Sequence, residues 1–303
     1  MELKRIKSIT EYHRWAGLPQ PEHPLISLID YSKVKHQTDE KSINFVMDFY
    51  SIALKRVDGI KMFYGQSQYD FDEGLMSFLA PGQVLRIEID TNAQYDKSGY
   101  LLQIHPDFLW KSTLAKKIKQ YEFFNYSTKE ALFLSDKEEN IINDIVKNIE
   151  NEYNTNIDKF GQNIIISHLE TLLNYSERFY QRQFITRKIT NNKLLNRLEE
   201  ILSDYFNNDE LLANGLPTVQ YIADRLNLSP KYLGSMLKQF TGLSTQQHIH
   251  EKLIDKAKEM LSITQLTVSE IAFNLGFEHP QSFSKFFKAK THQSPLEFRK
   301  SFN

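Results

Sequence analysis

One stretch near the C-terminus occurs twice, and it constrains the fold more than anything else in the chain. "TVQYIADRLNLSPKYLGSMLKQFTGLS" begins at Thr218, and "TVSEIAFNLGFEHPQSFSKFFKAKTHQS" begins at Thr267. Thr218, Val219, Ile222, Ala223, Leu226 and Leu228 recur 49 residues later as Thr267, Val268, Ile271, Ala272, Leu275 and Phe277. Past the turn the offset becomes 50, so that Leu233, Leu237, Lys238 and Thr241 match Phe283, Phe287, Lys288 and Thr291. One residue has been inserted in the second copy's turn. Self-similarity at a fixed period means that one supersecondary unit is built twice.

Each unit reads as two helices. Thr218 and Thr267 suit the N-cap position, and the Ile/Ala/Leu spacing behind them gives one apolar stripe. A short connection follows, Asn227-Leu228-Ser229 or Gly276-Phe277-Glu278. Ser229 can cap the next helix, with Pro230 at its first position, where a missing N–H costs nothing. Two short helices joined by such a turn form either an αα-hairpin of some bundle or a helix-turn-helix, whose second helix enters the DNA major groove. The free faces of the second helices favour DNA. Phe283, Phe286 and Phe287 point one way in the second unit, which leaves Gln281, Ser284, Lys285 and Lys288 outward, and Pro280 opens that helix. Lys231, Gly234, Ser235 and Lys238 form the matching set in the first. Between the units, "STQQHIHEKLIDKAKEMLSIT" places Ile249, Leu253, Ala257, Met260 and Leu261 at helical spacing. It reads as one long helix that holds the units at fixed separation. His248 and His250 stand two apart on it, so their imidazoles diverge.

Two helix-turn-helix units on a long helix, with "IAFNLGF", "SFSKFFK" and "SPLEFR" in the second, resemble the AraC/XylS transcriptional regulators over about residues 190–301. Ile271, Ala272, Gly276, Phe277, Ser282, Phe283, Phe287, Lys288, Pro295 and Arg299 fall where that pattern wants them. Tyr232, Leu233, Lys238, Thr241 and Gly242 do so in the first unit. His292 replaces the usual glycine after the second recognition helix, and Lys285 stands where arginine is common. The resemblance implies promoter DNA and RNA polymerase as partners. It also implies a cupin-like N-terminal barrel that binds a small organic effector, and a homodimer formed through helices beside that barrel.

The charge balance agrees with a polyanionic partner. The whole chain has 37 Lys+Arg against 38 Asp+Glu, a net of −1. Residues 187–303 contain 15 against 12, hence +3, and the remainder is −4. With no cysteine, disulfides, thiolate chemistry and Cys-based zinc sites are excluded. No apolar run reaches the ~20 residues of a membrane span, and "MELKRIKSIT" lacks a signal peptide's apolar core. A cytoplasmic protein is the expectation.

Residues 25–105 carry strand signals: "LISLIDY", "INFVMDFYSIAL", "IKMFY", "LMSFLA", "VLRIEI" and "YLLQI", with "DEG", "PGQ" and "DKSG" as turns between them. Six or more short strands predict a small antiparallel β-domain, a barrel or a sandwich. A metal-dependent enzyme is the rival reading. It would need two or three imidazoles and a carboxylate in one cavity, and His13, His23, His36, His105 and His168 show no His-X-His on a strand. Neither a metal nor an organic cofactor is expected, and no catalytic residue is assigned. Phe45, Phe49, Tyr50, Phe63, Tyr64, Tyr69, Phe71 and Phe78 are core or pocket lining. Ser135 with Glu138 reads as a capping box before a stripe of Ile141, Ile142, Ile145, Val146 and Ile149. A second helix carries Ile164, Ile165, Leu169, Leu172, Leu173 and Phe179. The expected fold is therefore α+β, in three parts. Residues 1–182 are a sensing and dimerisation domain, with strands over 25–105 and helices over 106–182. Residues 183–193 are a linker, and 194–303 an all-α DNA-binding domain.

Overall fold

The computed structural model describes residues 3–34, 42–57, 62–64, 67–69, 74–88, 97–126, 130–155, 159–186, 188–208, 211 and 214–301. The chain divides into two compact units, Met1–Gln183 and Phe184–Asn303. Among the described residues no helix is long and apolar enough to cross a membrane.

In the first unit the strands are β1 (Leu3–Ile6), β2 (Ile26–Asp30), β3 (Ser42–Met47), β4 (Tyr50–Val57), β5 (Met62–Tyr64), β6 (Ser67–Tyr69), β7 (Leu75–Leu79), β8 (Val84–Glu88), β9 (Lys97–Ile104) and β10 (Leu132–Phe133). They form a three-stranded sheet in the order β1-β3-β8, a five-stranded sheet β10-β7-β4-β9-β2, and the β5-β6 hairpin. Two features depart from the expected antiparallel barrel. β1 runs parallel to β3, which is feasible because helix α1 (Ile9–Trp15) and β2 intervene in the chain and supply the crossover that parallel pairing needs. Nor do the described strands close into one ring. Short alternating runs specify half-buried strands, whereas closure depends on tilt and stagger across many strands. The run "INFVMDFYSIAL" is split at Asp48-Phe49, so that β3 and β4 belong to different sheets.

The five-stranded sheet is buried on both faces. On one, Ile29, Ala53, Leu79 and Leu101 join Ile6, Ile9, Tyr12, Phe45, Met47 and Phe49 in a single apolar cluster. On the other, Phe78 lies 4.5 Å from Phe123 and 6.2 Å from Tyr180, and Tyr50 lies 5.1 Å from Phe124, by ring centroids. Phe45, Phe49, Tyr50 and Phe78 are thus core. The side chains of Phe63, Tyr64 and Tyr69, and all of Phe71, lie outside the described residues.

The remaining helices of this unit are α2 (Leu114–Lys117), α3 (Asp136–Tyr153) and α4 (Lys159–Thr186). The Ser135 backbone N–H donates to the Glu138 carboxylate at 3.0 Å, and Ile142, Ile145, Val146 and Ile149 are buried behind it. Arg182 of α4 grips the same carboxylate through Nε at 2.9 Å and donates to the Phe133 carbonyl at 2.7 Å. Ile165, Leu169, Leu172, Leu173 and Phe179 are buried, but Ile164 is 41% exposed and leaves the expected stripe. The segment read as a linker is helical on both sides of Arg187, which lies outside the described residues: α4 runs to Thr186 and α5 (Lys188–Asn207) begins at Lys188.

Three histidines of this unit make local structural contacts. His105 Nδ1 accepts from the Asp107 N–H at 3.3 Å, capping a 3-10 turn. His23 Nδ1 accepts from the Leu25 N–H at 3.1 Å. His13 is buried and sits 2.8 Å from Ser27 Oγ. His36 lies outside the described residues. Among the described residues no three His, Asp or Glu side chains are grouped to hold a metal.

The described residues of the second unit form helices and no strand. After α5 come α6 (Val219–Leu226), α7 (Pro230–Thr241), α8 (Thr245–Ile263), α9 (Val268–Asn274), α10 (Pro280–Thr291) and α11 (Pro295–Lys300). Helix α8 touches α5, α7, α9 and α11. Its Ile249, Leu253, Ala257 and Leu261 are buried; Met260, expected in that stripe, is only half-buried.

Candidate nucleic-acid interface

The two units of the repeat are built by the same local chemistry. Thr218 Oγ1 accepts from the Tyr221 N–H at 3.1 Å, and Thr267 Oγ1 from the Glu270 N–H at 3.2 Å. The Glu270 carboxylate returns the bond to the Thr267 N–H at 2.7 Å, which holds its pKa below the usual carboxylate value. Each such cap is worth ~1 kcal/mol. Both first helices end in a left-handed residue, Asn227 (φ 56°) and Gly276 (φ 78°). Leu228 N–H then reaches the Ala223 carbonyl at 2.9 Å, and Phe277 N–H the Ala272 carbonyl at 3.0 Å. The turns are equivalent up to Leu228 and Phe277, so the inserted residue falls between Phe277 and His279. This changes the next cap: Ser229 Oγ accepts from the Tyr232 N–H at 3.2 Å, while His279 makes no side-chain cap.

Packing then decides which faces remain free. In α7, Tyr232, Leu233, Met236 and Leu237 are buried. Lys231 and Lys238 are exposed on the opposite side, with Gly234 and Ser235 half-buried between them. In α10, Phe283 and Phe287 are fully buried, their rings 5.8 Å apart, and Phe298 of α11 closes on Phe287 at 5.5 Å. Phe286 is half-buried rather than sealed. Gln281, Lys285 and Lys288 are exposed, and Ser284 and Pro280 half-buried. The nine candidate residues thus fall into two sets, each on one outward helix face.

Helix α8 ties α7 and α10 through its divergent histidines. Thr241 Oγ1 donates its proton to the Leu237 carbonyl at 2.8 Å, so His248 Nε2, 2.9 Å from that oxygen, must be the donor to it. His250 faces the other way and meets the edge of Phe286, centroids 5.1 Å apart at 75°. Burial lowers both pKa values, and Lys290 adds to the effect on His250. Arg299 has a role that motif matching alone missed: its Nε donates to the Leu261 carbonyl at 3.2 Å and closes the end of α8. Nothing local to "SPLEFR" signals a partner so far along the chain.

Residues 222–301 match the family model of a helix-turn-helix domain. The HTH-type transcriptional activator RhaS of Enterobacter sp. (strain 638) is 32% identical over 109 residues, which is 36% of this chain and 37% of that protein. The Msm operon regulatory protein of Streptococcus mutans serotype c (strain ATCC 700610 / UA159) is 35% identical over 82 residues, 27% of this chain and 30% of that one. The chain thus spans about a third of the length of the curated relatives it matches. The solved C-terminal domain of AraT, a response regulator from Geobacillus stearothermophilus, is 30% identical with a TM-score of 0.31, covering 36% of this chain and 84% of that chain.

Proposed function

We propose, from the premise that the C-terminal region is an AraC-type helix-turn-helix domain, that this chain is a sequence-specific DNA-binding transcription regulator. The observation that carries the reading is the pair of like helices, α7 and α10, each presenting a short polar and basic face and both fastened to α8. Two such helices on one side of a duplex enter major grooves about one turn, ~34 Å, apart. In the second unit Gln281 and Lys285 read bases, because glutamine suits adenine and lysine suits guanine O6 and N7. Lys288 and Lys238 hold phosphates, and Pro280 and Ser284 border the contact. Gly234 and Ser235 are too short for bidentate readout, so Lys231 carries most of the first unit's share.

In the same reading the N-terminal sheets, though their described strands do not close into one ring, sense a small organic effector without metal. The helices beside them join two copies, and the bound dimer acts on RNA polymerase in the cytoplasm. The test of the central claim is selection of duplexes from a random pool by the full chain, followed by footprinting. A shared motif with protection over two adjacent grooves is expected. Equal affinity for all duplexes would leave a merely architectural DNA binder.

A further inference from the structure

Gly234 stands in the middle of α7, and nothing inside the protein asks for a glycine there. Its backbone is helical, without the positive φ that Gly242 shows at the end of the same helix. Beyond its chain neighbours and the backbone of its own helix, no atom of the described residues lies within 4 Å of where its Cβ would stand. Gly276 is the contrast, with the Gly215 Cα and the Leu211 carbonyl oxygen crowding the same place at 3.2 Å. Glycine forms helices more poorly than any residue but proline, because it gives up the most backbone freedom on folding. Helix α7 thus carries a cost in stability with no gain inside the fold.

The position lies on the side of α7 turned away from its core. Tyr232, Leu233, Met236 and Leu237 are buried, while Lys231 and Lys238 are exposed on the opposite side. Those two lysines lie ~10.5 Å apart along the axis and within about 20° of one another around it. Gly234 and Ser235 fall between them, and Gly234 leaves a notch the size of a methyl group. The second copy has no such notch: Ser284 fills the equivalent place in α10, and Lys285 stands where α7 has Ser235. Helix α10 therefore has a long side chain at the centre of its outward face, and α7 has none. A helix without that reach must itself come closer to what it touches, and a missing Cβ lets its backbone do so.

We propose that Gly234 admits the C5-methyl group of a thymine in the major groove, so that α7 selects that base pair by shape. The proposal rests on the DNA-reading function above and names one base of the preferred sequence. Of the groups that distinguish the base pairs along the groove, the thymine methyl is the apolar one, and the others are hydrogen-bond donors and acceptors. A glycine inside a helix has its N–H and C=O committed to the helix and no side chain with which to pair. What it offers is space, and a methyl group fills space. The charges of Lys231 and Lys238 draw the helix down onto the duplex.

The test sets a methyl group on the protein against one on the DNA. The full chain and its Gly234→Ala variant are titrated with the selected duplex and with a random one. They are also titrated with copies of the selected duplex in which each thymine of the α7 half-site is replaced in turn by uracil, which lacks the methyl. That half-site is the one whose preference Lys285→Ala leaves intact. Amide hydrogen exchange over α7 should be slower in Gly234→Ala, as alanine strengthens the helix. The variant should bind the selected duplex roughly tenfold or more weakly, the size of one mismatched base pair, and the random duplex as the native chain does. One uracil substitution should restore it to the affinity of the native chain on that same duplex. Undiminished binding by Gly234→Ala overturns the proposal, as does a loss that no uracil relieves, or an α7 half-site without thymine. Faster exchange over α7 in the variant overturns it too, since the glycine would then be serving the fold. A native chain that prefers no duplex overturns the regulator reading and this proposal with it, whereas a preference that does not depend on the methyl overturns the proposal alone.

Discussion

Lys285 and Lys288 are three residues apart on α10 and both exposed, yet their side chains leave the helix about 60° apart, so in the proposed reading Lys285 reaches bases while Lys288 meets phosphate. Lys285→Ala should cost about 1–3 kcal/mol on the selected duplex and relax preference at one or two base pairs. Lys288→Ala should weaken all duplexes alike and lower the salt slope by about 1. Titrations on selected and random duplexes at several salt concentrations separate the two, and an equal loss on both for Lys285→Ala would reassign it to phosphate anchoring. His292 carries a backbone cost. It ends α10 in the left-handed region at φ 62°, where Gly242 ends α7 at φ 79°. Left-handed backbone costs a side-chain-bearing residue roughly 1 kcal/mol, and a glycine returns about half of that in unfolded-chain entropy. His292→Gly should therefore stabilise the chain by about 0.5 kcal/mol, seen as a higher denaturant midpoint. Four histidines, one buried and three half-buried, give stability a pH dependence. Burial holds His13, His23, His248 and His250 below their ordinary 6.5, so the unfolded chain takes up more protons than the folded one just below that value. Their contribution is complete above 6.5 and is lost as pH falls from there through the folded pKa values. Tm should drop on acidification from pH 7, and the drop should be shallower in a His248→Gln, His250→Gln double variant.

At the scale of elements, the two units show how one turn can be closed by different residues. Asn227 tolerates the left-handed position because its surroundings are open enough to leave it exposed. Gly276 has no such freedom: a Cβ there would stand 3.2 Å from the Gly215 Cα and 3.2 Å from the Leu211 carbonyl oxygen. Gly276→Ala should thus destabilise the domain by more than about 1 kcal/mol, the backbone strain alone, whereas Asn227→Gly should be neutral or mildly stabilising. Comparing the two denaturation curves checks the difference. If both changes prove silent, the close approach at Gly276 is not a constraint.

For the whole molecule, the division at Gln183/Phe184 makes a fragment experiment sharper than the sequence alone allowed. The Phe184 ring packs 5.1 Å from Tyr232 at 70°, near the start of α7. A fragment of residues 184–303 should fold, keep the sequence preference of the full chain and lose affinity through lost avidity. One starting at residue 187 should melt at a lower temperature, having shed that ring.

The helix-turn-helix units were legible in the sequence because their signals are local. Caps, left-handed turn residues and a 3.6-residue apolar period act over a few positions, and the repeat printed them twice. The faces of α7 and α10 follow from that periodicity directly. What no local pattern carried was the partner of each group across the fold: the parallel pairing of β1 with β3 and the reach of Arg299 to the end of α8. Alternation of apolar and polar residues says that a strand has two faces; which strands lie beside it, and in what register, is settled when the whole chain packs, since each contact closes a loop of many residues and forms only with the rest of the core.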